Sequence, residues 1–260
     1  MDIQKAASAL LEAEYEKKQI APFTSSIEEI SIDDAYQIQL QQIRRKVDNG
    51  AVIVGKKVGL TSKAMQEMLN VNQPDYGHIL NNMVFEEGKT IPLERFIQPK
   101  VEFEIAFVLK KDIQGPGVTM NDVIDATDYV VPALEIIDSR IKDWEIKFED
   151  TVADNGSSAG AVIGQKKTRL TELDLASIGM TVYRNGEFLD SALGAAVMGH
   201  PAKAVAWLAN ALGGYGIALN AGEVILAGAL SKAVPIEDGD TFSAEFEQIG
   251  KVSATFKKSR

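Results

Sequence analysis

Pro99-Lys100-Val101-Glu102-Phe103-Glu104-Ile105-Ala106-Phe107-Val108-Leu109 is the stretch from which the rest of the chain is best read. It is rich in β-branched and aromatic residues and reads as a strand. Alternation puts Val101, Phe103, Ile105, Phe107 and Leu109 on one face, and Glu102, Glu104, Ala106 and Val108 on the other. Two carboxylates side by side against an apolar interior repel each other and are costly to desolvate. A divalent cation is the simplest remedy. The run Val131-Pro132-Ala133-Leu134-Glu135-Ile136-Ile137-Asp138 embeds Glu135 in equally apolar surroundings, where it can supply a third oxygen ligand. All-carboxylate ligation suits a hard ion, Mg²⁺ or Mn²⁺. The competing reading of the same pattern is a solvated strand face of alternating charge.

Working outward, Ile3, Ala7, Leu10 and Ala13 follow helical spacing within residues 2–20, and Tyr36, Leu40, Ile43 and Val47 mark a second helix from Ser31 or Asp33 to Asn49-Gly50. These helices are expected to form an N-terminal cap or oligomerisation element, residues 1–50, ahead of a β-rich catalytic domain, residues 51–260. Strands are predicted at 52–58, 101–110, 161–163, 180–184, 187–189, 223–227, 241–246 and 252–256. Asn185-Gly186 gives a two-residue hairpin signal. One helix interrupts the strands, entering at His200-Pro201 and stopping at Gly213-Gly214. Helices first and strands afterwards predict an α+β fold with a β-rich core.

The 260 residues suffice for a large core, and 45% hydrophobic with 25% charged residues is ordinary globular composition. No apolar run reaches the ~20 residues that span a bilayer, and the start of the chain lacks a signal-peptide pattern, so a cytoplasmic enzyme without membrane contact is expected. With no cysteine, disulfides, thiolate metal sites and cysteine nucleophiles are excluded. A net charge of −10 without a basic stripe argues against nucleic acid. His78 and His200 lack zinc-type spacing.

Three further segments bear on chemistry. In Val54-Gly55-Lys56-Lys57-Val58-Gly59-Leu60-Thr61-Ser62, a strand runs into a turn whose amides and hydroxyls can meet an anion. Lys57 lies just before that turn, and alternation turns Lys56 to the opposite face, expected to be solvent-exposed. Asn72-Gln73-Pro74-Asp75-Tyr76-Gly77 reads, on composition, as a turn. The polar, small-residue segment from Phe148 to Gly160 is either a surface loop or a place where backbone approaches a ligand.

Taken together, GKKVGLTSKAMQ (55–66), QPDYG (73–77), QPKVEFEIAFVLKKDIQGPG (98–117), PALEIIDSRIKDW (132–144), DTVADN (150–155), GHPAKAVAWLAN (199–210) and AGEVILAGAL (221–230) resemble the 2-keto-4-pentenoate hydratase family of aromatic meta-cleavage pathways, within the fumarylacetoacetate hydrolase superfamily. The resemblance runs from about Ile20 to Phe256 and implies a fumarylacetoacetate-hydrolase-like core. It implies a metal held by Glu102, Glu104 and Glu135, a functional lysine at Lys57 and a site aspartate at Asp75, which overturns the turn-only reading. It also implies a substrate-facing loop at Ser157. Gly156 stands where alanine is commoner in the family, and Ser158 where many members carry cysteine.

The implied reaction adds water to 2-hydroxypenta-2,4-dienoate, giving 4-hydroxy-2-oxopentanoate. Lys57 is the candidate general acid/base, Asp75 the group that positions or deprotonates water, and Thr61 with the turn amides the holder of the substrate carboxylate. Burial lowers the Lys57 pKa and nearby carboxylates raise it, and the sequence leaves the balance open. Lys57 and Arg140 are expected to offset the surplus negative charge. The paralogous 4-oxalocrotonate decarboxylase is the alternative. Pro74-Asp75-Tyr76-Gly77 and the Asp143–Asp150 segment favour the hydratase. A C–C hydrolase and a non-catalytic partner subunit are the remaining readings. The expected partners are a small 2-hydroxydienoate or 2-oxo acid, further copies of this chain, and a paralogous decarboxylase.

Overall fold

The computed structural model describes residues 2–26 and 30–259. It begins with α1 (Ile3–Glu16), α2 (Phe23–Ser26) and α3 (Ile32–Asp48). Ser31 caps α3 in a reciprocal capping box with Asp34. There follow β1 (Ile53–Gly59), α4 (Lys63–Met68), β2 (Asp75–Leu80), β3 (Val84–Phe85), β4 (Thr90–Pro92) and β5 (Lys100–Leu109). Then come α5 (Met120–Ala126), β6 (Thr127–Ile137), α6 (Phe148–Ala153), β7 (Ser158–Ile163), β8 (Gly179–Arg184) and β9 (Glu187–Leu193). The chain closes with α7 (Pro201–Gly213), β10 (Val224–Ala229), β11 (Val234–Pro235), β12 (Thr241–Phe246) and β13 (Gly250–Lys257). Helices precede a strand-rich body, as the order of patterns predicted.

An eight-stranded sheet runs β2-β1-β10-β5-β6-β7-β3, with β11 added to β5, and a five-stranded sheet runs β4-β13-β12-β8-β9. Both faces of β5 are buried. Val101, Phe103, Ile105, Phe107 and Leu109 join the main core with Phe242 and Phe256 of the second sheet. Ala106, on the alternate face, joins a separate cluster with Ile79, Leu80, Val131, Ala133, Ala161 and Leu226. Fully burying each large side chain contributes about 1.5–3 kcal/mol, so this sheet is the rigid frame on which site residues stand. The hairpin signal holds: Asn185 (φ 55) and Gly186 (φ 85) join β8 to β9 in the left-handed conformation that a tight turn needs. His200 caps α7, its Nδ1 accepting from the Ala202 amide at 3.1 Å, with Pro201 in the first turn.

Three readings are corrected. Of Asn72–Gly77, read on composition as a turn, residues 75–77 instead open the fully buried strand Asp75–Leu80, which pairs with β1. Val131–Asp138, read only as an apolar run, lies up to Ile137 in an eleven-residue strand, Thr127–Ile137. Lys56 is not exposed: the face of β1 away from Lys57 is covered, and Lys56 lies 2% exposed with its Nζ 2.7 and 2.6 Å from the two oxygens of Glu223. No helix is long and apolar enough to cross a membrane among the described residues.

Candidate active site

Register builds the carboxylate cluster. In the antiparallel β5–β6 ladder Glu102 stands opposite Glu135, and Glu104 lies one same-face step along β5. One oxygen from each of Glu102, Glu104 and Glu135 lies within 4.8 Å of the others. Glu104 Oε2 accepts from the Gly228 amide at 2.7 Å. Glu104 Oε1 and both Glu135 carboxylate oxygens are buried with no hydrogen-bond partner. Orphaned anionic oxygens converging on one point are what a hard cation satisfies, so the residues present fit a Mg²⁺ or Mn²⁺ site. Electrostatics agree: burial, then Glu135, pushes the Glu102 carboxyl up to about 7. Burial with Glu135 and Glu102 drives Glu104 well above the usual carboxylate range. Burial raises Glu135 as well, against the pull of Lys57.

β1 and β2 bring the other groups to the same place. Lys57 is 3% exposed, with Nζ 3.7 Å from Glu135 Oε1. Burial pulls its pKa down, but Glu135, Asp75, Glu102 and Glu104 together outweigh burial and hold the ammonium protonated above the ordinary lysine value. Asp75, 2% exposed, pairs with Gly59 across the β1–β2 ladder. A β-carbon at position 59 would strike Asp75 Oδ1 and come within 2.9 Å of Lys57 Nζ, so Gly59 is the open space on which carboxylate and ammonium converge. Burial raises the Asp75 pKa, opposed by Lys57. Its Oδ1 has no partner, while Thr151 Oγ1 stands 3.5 Å from Oδ2.

Thr61 is buried and lies against Gly228, where a β-carbon would come within 2.5 Å of its hydroxyl. That contact sets Thr61 beside the Glu104 anchor. Ser157 is buried, with its Oγ 3.3 Å from Thr151 Oγ1. The predicted residues therefore lie at one end of the large sheet: Glu102, Glu104, Glu135, Lys57 and Asp75 face one another, and Thr61 and Ser157 flank them. Arg140 does not join them. Its guanidinium donates to Asp154 Oδ1 and Asp154 O, both at 2.5 Å, and to the Asp138 carbonyl at 2.6 Å. Sequence reading assigned no role to Thr151 or Ser158. The Ser158 hydroxyl is buried without a partner on the strand that pairs with the Glu135 strand. A polar side chain at the start of an otherwise apolar strand was the available signal.

Residues 51–257 match the model of the fumarylacetoacetate (FAA) hydrolase C-terminal family. The 2-hydroxyhexa-2,4-dienoate hydratase of Comamonas testosteroni is 48% identical over 98% of this chain and 97% of its own. A 2-keto-4-pentenoate hydratase of Paraburkholderia xenovorans (strain LB400) is 43% identical over 99% and 96%. Among solved structures, 4-oxalocrotonate decarboxylase from Pseudomonas putida G7, complexed with magnesium and adipate, superimposes with a TM-score of 0.95 at 37% identity, covering 98% of this chain and 97% of that one. With this fold, a buried three-carboxylate cluster and near full-length matches of this kind, the chain belongs to the fumarylacetoacetate hydrolase family, among the relatives that are named 2-keto-4-pentenoate hydratases.

Proposed function

We propose that this chain is a metal-dependent hydro-lyase that adds water to 2-hydroxypenta-2,4-dienoate and forms 4-hydroxy-2-oxopentanoate. The observation that carries the reading is the convergence of Lys57 and Asp75 on the space at Gly59, beside the carboxylate cluster. Glu102, Glu104 and Glu135 would hold Mg²⁺ or Mn²⁺, and a bound cation would supply Lewis acidity to the 2-oxo acid end of the substrate. Everything else falls to the chain's own residues. Thr61 and the amides of its turn bind the substrate carboxylate. Lys57, held protonated by its neighbours, gives a proton to C5 and its freed amine takes the proton of the 2-hydroxyl, which converts the dienol to the conjugated 2-oxo-3-enoate. Asp75 has one unpartnered carboxylate oxygen with which to hold a water against C4. That water adds at C4, its proton passing to Asp75 and from there to C3, so that the OH and H of one water end on C4 and C3. Ser157 and Thr151 complete the wall on the Asp75 side.

The second reading, decarboxylation of 4-oxalocrotonate, is favoured by the likeness to the decarboxylase structure. Asp75 separates the two. Decarboxylation needs no attacking water, and a carboxylate beside a departing CO₂ adds repulsion. The test is Asp75→Asn with the cation present. The hydratase reading expects loss of hydration with retained binding of a 2-oxo acid inhibitor, and hydration at the wild-type rate removes Asp75 from the mechanism.

The same reading places the protein in the cytoplasm, with the N-terminal helices, residues 1–50, as a cap on a catalytic domain of residues 51–260. It also makes the protein a homo-oligomer that associates with a paralogous decarboxylase. Phe188, Leu189 and Leu193, exposed on the sheet-edge strand β9, support self-association. Light scattering of the purified chain tests it, and a monomer at micromolar concentration contradicts it.

A further inference from the structure

The segment over Lys57 is conformationally unusual. Asn155 (φ 57), Gly156 (φ 58) and Ser157 (φ 56) are three successive left-handed residues. Gly156 and, as a single residue, Asn155 tolerate that conformation, but Ser157 does not favour it and a run of three is rare, so the turn persists because its surroundings fix it. Its apex lies so near the lysine that a β-carbon at Gly156 would lie 3.0 Å from Lys57 Cε and 3.3 Å from the Tyr76 carbonyl oxygen. The turn therefore forms one wall of the channel in which the Lys57 side chain lies.

The groups that fix the turn lie on the far side of β2. Asn155 clamps the His78 backbone in both directions, with Oδ1 accepting from the His78 amide at 2.8 Å and Nδ2 donating to its carbonyl at 3.0 Å. The His78 ring is held in turn by Gln39 of α3. Gln39 is fully buried, and its Nε2 donates to the Tyr76 carbonyl at 2.9 Å and the Val152 carbonyl at 2.8 Å. Its Oε1 is thus the acceptor, and His78 Nδ1, 3.1 Å away, carries the proton. The imidazole is neutral, because burial and Lys56 push its pKa down to about 3. Val152 is near the C-terminal end of α6, where helix carbonyls lack partners within the helix. One amide from the N-terminal helix thus bonds the end of α6, the strand that carries Asp75, and the ring of His78, the residue whose backbone Asn155 clamps. Tyr36, one turn earlier on α3, stacks on Tyr76 at 4.3 Å between centroids.

We infer that Gln39 is a positioning residue for the reaction: through Val152, Tyr76 and His78 it fixes the left-handed turn 155–157 against Lys57 and so aims the lysine at the carboxylate cluster. The N-terminal helix α3 then belongs to the catalytic apparatus, although it contributes no group that touches substrate. This rests on the role proposed for Lys57.

A neighbouring residue supplies the control. Gln42 is also buried on α3, and its Nε2 donates to the Ala153 carbonyl at 2.7 Å and to Ile38 of its own helix at 3.2 Å, with no bond to β2. Gln39→Met and Gln42→Met both weaken the docking of α3 on α6, but only the first releases Tyr76 and His78. In the Mg²⁺-loaded full chain, Gln39→Met is expected to lower kcat by about 10- to 100-fold, the scale of a misplacement of order 1 Å, with KM nearly unchanged. Gln42→Met is expected to retain kcat at a comparable loss of Tm. Gln39→Glu keeps length and the acceptor toward His78, and replaces Gln39→Met if that variant does not fold, with the same expectation for kcat. Wild-type kcat in the Gln39 variant, or an equal loss in Gln42→Met, overturns the inference. If the wild-type chain does not hydrate the dienoate, the functional reading has failed instead. Crystal structures of the two variants then decide the positioning role: the 3.7 Å approach of Lys57 to Glu135 is lost in the Gln39 variant and kept in Gln42→Met, and its survival in both refutes the role.

Discussion

Replacing Lys56 by methionine isolates one buried charge. Lys56 is 2% exposed and Glu223 7%, and the ammonium meets both carboxylate oxygens at 2.7 and 2.6 Å. Glu223 also accepts from the Asn220 amide at 2.9 Å and from its side-chain nitrogen at 3.2 Å, which hold the carboxylate in place. Methionine fills nearly the same volume, so the packing loss is small. What remains is an uncompensated buried carboxylate, which costs about 3–5 kcal/mol. In a chain of this size that lowers Tm by roughly 6–20 °C. Thermal unfolding by circular dichroism at neutral pH reads it directly. Lys56→Met combined with Glu223→Gln should recover most of the loss, because the neutral amide no longer needs a cation and still accepts from Asn220. A Tm within about 2 °C of wild type for Lys56→Met alone, less than 1 kcal/mol, would mean that Lys56 is solvated as alternation suggests and that the layer over β1 is wrong.

Other outcomes are expected. Lys57→Met should lower kcat by about 10²–10⁴-fold and leave Mg²⁺ binding measurable by calorimetry, since no ligand is lost; near-normal turnover removes Lys57 from the chemistry. Glu135→Gln should weaken Mn²⁺ binding by at least ~10-fold, and unchanged affinity would place the cation elsewhere. The metal-free protein should lose stability as pH rises. Glu102 and Glu104 have folded-state values raised above the ordinary carboxylate value, so their contribution is full below that value; the Glu102 part is lost through about 7, and the Glu104 part as pH rises through its own raised value. Mg²⁺ at one hundred times its Kd should return about 2.7 kcal/mol. Scanning fluorimetry should show a larger Mg²⁺-induced Tm rise at neutral pH than at about pH 5, where protons compete for the carboxylates; an equal rise at both refutes this.

Much of the site was legible because strand alternation is local. Glu102 and Glu104 on one face follow from a period of two, and their meeting with Glu135 required only that two apolar runs pair in register. Burial was less legible, because it depends on layers that the local pattern does not contain. Lys56 and Lys57 alternate as expected, yet both faces of β1 are covered, so both lysines are buried. β2 was hidden by Pro74 and Asp75, which favour turns, and by burial on both faces, which erases the polar alternation. β6 was hidden by Pro132, which a central strand normally excludes. It fits because the ladder to β7 begins at Ala133, one residue beyond the missing amide. Gln39 and Asn155 were invisible because their partners are 37 to 113 residues away.

The direct measurement is incubation of the purified chain with Mg²⁺ or Mn²⁺ and, separately, 2-hydroxypenta-2,4-dienoate and 4-oxalocrotonate, with products identified by NMR. The account predicts 4-hydroxy-2-oxopentanoate from the first and little or no CO₂ from the second, with activity abolished by chelation. Release of CO₂ from 4-oxalocrotonate faster than hydration of the dienoate contradicts it.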